Sequence, residues 1–203
     1  MSTLVTMRSD LRRDLRDAEV GSYKWSDEEL DRHILRAVAD YTQVAPVIDV
    51  VTQPAGETPS YDLRATDGWL WCERVEYPVD RSPRSTLPFE ETTRGVVYLI
   101  GRSPTESGLP TPGEDVRFWY ARQHTVDVAG CTVPFEHESL VALGAAAYAL
   151  LAYADYAVGR VNPSWWDPRN YRELGLAKLS EFRTELARLR AERGWTVGMV
   201  SWG

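Results

Sequence analysis

The residue types best suited to metal binding are few in this chain. It has three histidines, His33, His124 and His137, and two cysteines, Cys72 and Cys131. His124, Cys131 and His137 could converge on one metal ion, but the compact ligand pairs of structural zinc sites are missing from the sequence. We therefore predict no metal site and no other cofactor, and we expect both thiols to be reduced, as in a cytosolic protein.

Two pairs of carboxylates could supply the acid and base of a hydrolase. They are Glu90 with Glu91 and Glu136 with Glu138. Glycosidases use such pairs, but adjacent acids in loops or first helical turns are more often solvated or capping groups. The sequence also lacks a nucleophile elbow, a phosphate-binding loop, a dinucleotide fingerprint and a zinc-protease motif. We predict no catalytic residues and no enzyme activity.

The eight tryptophans are stronger candidates for binding. Trp69 and Trp71 are two residues apart on a predicted strand, so we expect both rings on one side of a sheet. With Trp119 they could form a platform that stacks sugars; the alternative is burial in a core or interface, the commoner fate of large aromatic side chains. Trp165 and Trp166, between two predicted helices, are predicted to anchor a subunit interface.

The last nine residues, 195–203, carry no charge. They contain five large apolar side chains: Trp195, Val197, Met199, Val200 and Trp202. A strip this apolar is an aggregation hazard in water, whereas chain ends are usually polar and disordered unless something holds them. We expect this segment to dock, either on the chain's own core or as an arm in a groove of another subunit.

The net charge of −7 argues against a protein that binds nucleic acid by neutralising phosphates. Residues 168–193 carry seven basic and four acidic side chains, so this segment is +3 and the rest of the chain is −10. We expect Arg183, Arg188 and Arg190 to contribute to a subunit interface. The apolar run at residues 140–154 is shorter than the roughly 20 residues that span a bilayer, so we predict a soluble protein.

The elements that position these residues follow from hydrophobic periodicity. Three- and four-residue spacing predicts a first helix with an apolar face at Leu4, Met7, Leu11 and Leu15. Ser26 and Glu29 predict a capping box at the start of a second helix, which Pro46 ends. Short strand-like runs follow at residues 47–52, 69–77, 95–100 and 116–124. An alanine-rich helix after Pro134 and a last helix from about Pro168 to Arg193 complete the chain.

We predict an α+β fold with a mainly α-helical core of two N-terminal and two long C-terminal helices. Residues 1–46 form the N-terminal helical pair, and residues 134–194 form the C-terminal pair that completes the core. Residues 47–133 form an inserted antiparallel β-sandwich or barrel-like region, with long Pro- and Ser-rich loops. Residues 195–203 form an extended apolar docking arm.

Three parts of the sequence carry a family resemblance. Residues 11–46 read LRRDLRDAEVGSYKWSDEELDRHILRAVADYTQVAP. The middle contains VEYP at residues 75–78 and VRFWYARQHT at residues 116–125. Residues 134–162 read PFEHESLVALGAAAYALLAYADYAVGRVN, followed by YREL at residues 171–174. In these patterns, and over nearly its full length, the chain resembles the head-to-tail connector (adaptor) proteins of tailed bacteriophages and prophages.

The resemblance implies a structural virion protein of the connector or neck, assembled in the host cytoplasm. Proteins of this group form a ring, usually dodecameric, that binds the portal protein and extends the DNA channel towards a stopper or tail-completion protein. DNA passes through the lumen without sequence-specific binding, and no membrane is involved. On this model residues 195–203 reach the portal or a neighbouring subunit. The alternative is a monomeric β-platform module that recognises carbohydrate or a host surface.

Overall fold

The computed structural model describes residues 2–101, 108–158 and 168–192. Within these ranges the chain forms four helices, α1 (Leu4–Asp14), α2 (Asp27–Val44), α3 (Phe135–Val158) and α4 (Pro168–Glu192). It also forms seven strands, β1 (Val47–Pro54), β2 (Ser60–Asp62), β3 (Trp69–Glu76), β4 (Thr86–Leu87), β5 (Phe89–Thr93), β6 (Val96–Leu99) and β7 (Asp115–Arg122). The fold is α+β with antiparallel sheets, which confirms the predicted class.

The described residues form two compact units. We call residues 2–45 with 124–192 the helical unit, and residues 46–123 the β unit. In the helical unit the predicted capping box of α2 is confirmed: the Ser26 hydroxyl accepts from the Glu29 N–H at 3.2 Å, and the Glu29 carboxylate accepts from the Ser26 N–H at 2.8 Å. These bonds satisfy two of the backbone donors that a helix start leaves free.

Helix α3 packs between α2 and α4 in the core of the helical unit. A Cβ at Gly144 would lie 2.8 Å from the Phe182 ring, so the glycine permits the close approach of α3 and α4. Over Phe135–Ala157, α3 is long and apolar enough to cross a membrane, although half of its most apolar window is buried inside the protein. Helix α3 is thus longer than the apolar run at residues 140–154 that the sequence indicated. Its position between α2 and α4 accounts for its apolar composition.

The β unit contains two antiparallel sheets, with strand orders β1-β7-β3-β4 and β2-β6-β5. Side chains from both sheets share one core, which includes Tyr61, Val75, Val97, Leu99 and Phe118. The strands of the described part therefore form a small sandwich of two separate sheets, and they do not close into one barrel. β2, β4 and β5 were not predicted, because they are short or polar; β5 reads FEETT.

The β unit ends at Gln123, whereas the sequence pattern placed the end of the insert at Val133. Two hydrogen bonds of His124 join it to the end of α2. Its N–H donates to the Thr42 hydroxyl at 3.3 Å, and its Nε2 lies 2.7 Å from the Ala45 carbonyl oxygen. The chain therefore rejoins the helical unit about ten residues before α3 begins.

Candidate functional site

The exposed side of α4 carries an apolar groove bordered by arginine. An open cleft of about 510 Å³ is lined by Leu176, Leu179, Ser180, Arg183, Thr184 and Ala187. Leu176 is 50% exposed. Arg190 lies two helical turns beyond Arg183 on the same side. Neither arginine has an ion-pair or hydrogen-bond partner among the described residues. This side of α4 is thus both apolar and positively charged.

Arg188 differs from the other two arginines predicted to lie at an interface. Its Nε and NH2 donate to Glu185, the latter at 2.7 Å, and its NH1 donates to Glu192 at 2.8 Å. The charge of Arg188 is therefore compensated on its own helix. Of the three predicted arginines, Arg183 and Arg190 keep unpaired charges within the described part of the chain.

Several predicted interface residues lie outside the described residues. They are the loop tryptophans and the apolar side chains of the C-terminal segment: Trp165, Trp166, Trp195, Val197, Met199, Val200 and Trp202. Their predicted roles in docking and subunit contact stay predictions.

Trp69 and Trp71 lie on opposite faces of the four-stranded sheet, so the prediction of a shared face was wrong. A bulge in β3 shifts the register between them. Trp69 pairs with Arg122 of β7, whereas Trp71, two residues further along β3, pairs with Ala121, which is only one residue from Arg122. Trp69 is 4% exposed and stacks on Tyr120 with ring centroids 4.8 Å apart. Trp69, Trp71 and Trp119 therefore cannot form one platform. Carbohydrate binding by Trp71 and Trp119 stays a prediction.

Glu91 is a structural acceptor at the junction of the two sheets. Its Oε1 accepts from the Trp69 indole at 2.9 Å and the Gly95 N–H at 2.7 Å, and its Oε2 accepts from the Cys72 N–H at 2.8 Å. Glu90 is exposed on the same strand. Burial raises the pKa of the Cys72 thiol, which favours its protonated, unreactive form. Through these hydrogen bonds, Glu91 links β5 to β3.

The three residues considered for a metal site are engaged separately. His124 Nδ1 lies 3.0 Å from the Thr132 hydroxyl, and His137 Nδ1 lies 2.6 Å from the Tyr41 hydroxyl. The Cys131 Sγ accepts a hydrogen bond from the Val133 N–H at 3.3 Å. Within the described ranges no group of three His, Cys, Asp or Glu side chains could hold a metal ion.

A second exposed surface lies on the β unit, on the side of the four-stranded sheet that faces away from the sandwich core. We call it the outer sheet face: Ile48, Val50, Trp71, Arg74 and Trp119. Val50, Trp119 and Arg74 are register partners and form one row across β1, β7 and β3. Val50 is 39% exposed, and the Arg74 guanidinium lies 4.4 Å from the centroid of the Trp119 ring. The surface combines aliphatic, aromatic and cationic groups.

The outer sheet face also contains a buried donor without an acceptor. Among the described residues, two buried side-chain polar atoms lack a hydrogen bond, Arg74 Nε and Glu76 Oε1. Glu76 Oε1 lies 3.5 Å from Arg117, so its charge is compensated by an ion pair. Arg74 Nε has no such compensation in the described part. Native proteins satisfy nearly all buried polar groups, so this donor is an exception within the described part of the chain.

The chain matches no protein-family model and no curated protein. The resemblance to connector proteins therefore stays a prediction from the quoted stretches. In the structure these stretches fall in the end of α1 with α2, in parts of β3 and β7, and in α3 with the beginning of α4. The outer sheet face was missed in sequence analysis, because the bulge that places Trp71 there has no clear sequence signal.

Proposed function

We propose that this protein is a structural subunit of a phage head-to-tail connector. Copies assemble into a ring, dodecameric as is usual in the group that the chain resembles. The ring binds the portal protein and extends the DNA channel towards the tail. The observation that carries this proposal is the exposed groove of α4, where Leu176 lies beside Arg183, which has no ion-pair partner among the described residues. An apolar strip bordered by charge is suited to contact with another protein.

The distribution of charge supports contact between copies. Helix α4 belongs to the +3 segment at residues 168–193, whereas the rest of the chain is −10. Residues 124–158 of the same unit contain four acidic residues and no lysine or arginine. A basic helix on one copy and an acidic surface on the next attract each other, and in a head-to-tail ring each copy presents two different surfaces.

The negative net charge also suits a channel through which DNA moves. A ring of acidic subunits with net charge −7 each would repel DNA on average. A wall of this kind would let the duplex pass without holding it, whereas tight phosphate contacts would retain it.

The experiment is a mass measurement by light scattering on the purified protein, alone and mixed with the portal protein of the same virus, with negative-stain imaging. We expect rings, or a monomer that joins the portal as a ring. A strict monomer that ignores the portal would contradict the proposal and favour the carbohydrate-binding alternative, which glycan binding would then test.

Matched variants on α4 connect assembly to the groove. Arg183→Gln combined with Arg190→Gln removes two charges without an ion-pair partner in the described part of the chain, and we expect association to weaken about tenfold, equivalent to about 1.4 kcal/mol. The control Arg188→Gln removes a charge that Glu185 and Glu192 already compensate, so its effect should be under about twofold. Equal effects of the two changes would show that the groove does not mediate assembly.

A further inference from the structure

We propose that the outer sheet face is the receptor for residues 195–203 of a neighbouring copy. The inference rests on the proposed assembly of copies, and it specifies where the apolar C-terminal segment docks. It joins two features that are otherwise unexplained: an open cleft beside exposed aliphatic side chains on the β unit, and an uncharged segment that follows α4.

The receptor is a groove across the strands. An open cleft of about 370 Å³ extends over β1, β7, β3 and β4 and continues to the start of β5; it is lined by Ile48, Glu73, Arg74, Val75, Thr86, Leu87, Phe89 and Trp119. Neighbouring strands are about 4.8 Å apart, so the groove is roughly 14 Å long across the four strands. An extended segment of about four or five residues has this length.

The groove defines the chemistry of its occupant. The exposed Ile48 lines the cleft, and the exposed Val50 lies next to it as the register partner of Trp119, so an apolar occupant would remove both side chains from water. The Arg74 guanidinium lines the cleft beside Trp119, and a backbone carbonyl of an extended segment can accept a hydrogen bond from its terminal N–H groups. An occupant without charged side chains meets both needs and buries no new ion.

The segment binds on the face of the sheet and does not add a strand at its edge. On the edge strand β1, the Val50 N–H already donates to the Asp49 carboxylate at 2.8 Å. The same carboxylate accepts from Arg122 Nε at 2.9 Å. A charged group that occupies a backbone donor blocks edge pairing, as natural edge strands commonly do.

Residues 195–203 match this chemistry. They carry no charge and place large apolar side chains at both ends, Trp195 and Trp202. Nine extended residues reach about 30 Å, so the segment can cover the groove with residues to spare. Only residues 193 and 194 separate it from the end of α4. A donor segment and a separate receptor on every copy give a head-to-tail contact, which a ring requires.

A photo-cross-linking experiment tests both the receptor and the exchange between copies. The donor copy carries Trp202→benzoylphenylalanine. The acceptor copy is tagged and carries Trp195→Ser and Trp202→Ser, so its own segment cannot compete. We expect a cross-linked dimer whose adduct maps to β1, β3 or β7 on the outer sheet face. A cross-link confined to one chain, or one that maps elsewhere, would overturn the proposal.

A peptide-binding experiment provides the matched controls. A fluorescent peptide of residues 193–203 is titrated into the full chain carrying Trp195→Ser and Trp202→Ser, and anisotropy is measured. Adding Val50→Lys should weaken binding at least tenfold, whereas adding Val5→Lys, the same change at an exposed position of α1, should leave it within twofold. Equal affinities for the two lysine variants would refute the receptor. Peptide binding that persists without rings or portal binding would reject the proposed function alone.

Discussion

Arginine is used differently in the helical unit and on the outer sheet face. Arg12 is buried at 7% exposure, and its guanidinium donates to Asp17 at 2.8 Å, to the Trp25 carbonyl at 2.9 Å and to Asp27 at 2.7 Å. Arg74 stacks over a tryptophan but leaves its buried Nε without an acceptor in the described part. The first arginine is held by three acceptors within the fold, whereas the second leaves a buried donor without an acceptor in the described part.

The Arg12 network also fixes the connection between α1 and α2. Asp17, which is 4% exposed, accepts from the Lys24 N–H at 2.7 Å through its second oxygen. The Arg12 guanidinium lies 3.9 Å from the centroid of the Tyr23 ring. One buried ion pair thus holds both ends of an irregular segment, and further hydrogen bonds join Arg12 to the Trp25 carbonyl and Asp17 to the Lys24 N–H.

The largest expected effect comes from removing this network. Arg12→Met leaves the Asp17 carboxylate buried without its cation, so the free energy of unfolding should fall by about 3–5 kcal/mol. The control is Arg13→Met, because that side chain is 73% exposed and pairs only at the surface with Asp10; its effect should stay within about 0.5 kcal/mol. Urea unfolding followed by helical circular dichroism measures both. A small loss for Arg12→Met would remove the contrast with Arg74.

A second change tests whether the inner side of the sheet is as complete as the helical unit. Glu91→Ala removes the acceptor of the Trp69, Cys72 and Gly95 N–H groups, and we expect a loss of about 2–3 kcal/mol. Glu90→Ala, at the exposed neighbouring position, should change stability by less than about 0.5 kcal/mol. Tryptophan fluorescence during urea unfolding follows the β unit. Similar losses at the two positions would contradict the role of Glu91.

The helices could be predicted because their signals are local. Ser26 and Glu29 specify a capping box within four residues, and the apolar period of α1 and α2 needs no tertiary contact to be recognised. Helix α4 ends at Glu192, within one residue of the expected position. The predicted last helix also placed Arg183 and Arg190 on one helix, and this prediction needed no tertiary contact.

The β unit was less predictable because its determinants are not local. The bulge that separates Trp69 from Trp71 depends on pairing with β7, about fifty residues later in the chain. β5 is polar on both sides, so its sequence lacks strand alternation, and Glu91 became a structural acceptor only through contacts with β3. Pairing with distant strands therefore determines which tryptophan is exposed and which carboxylate accepts the structural hydrogen bonds.

A smaller effect is expected from His33, a buried titratable group of the helical unit. Burial, followed by the nearby charge of Arg32, lowers the pKa of His33 below its ordinary value of 6.5. The unfolded chain therefore binds more protons below about pH 6.5, and the free energy of unfolding falls as the pH decreases through this range, by at most about 1.4 kcal/mol per pH unit. Stability measured at pH 7.5 and 5.5 should decrease less in His33→Gln. Identical pH dependence in both proteins would exclude this contribution.

The smallest effect is expected from Arg74→Met, the same chemical change as in Arg12→Met. Methionine keeps an apolar stem over Trp119, so the stacking area persists while the cation–π attraction, about 0.5–1 kcal/mol, is lost. Removal of a buried donor without an acceptor offsets this loss, and the net change in the free energy of unfolding should lie within about 0.5 kcal/mol. Urea unfolding of the chain that also carries Trp195→Ser and Trp202→Ser isolates this value from docking. A loss of several kcal/mol would mean that Arg74 stabilises the fold as Arg12 does, and the contrast between the two arginines would then fail.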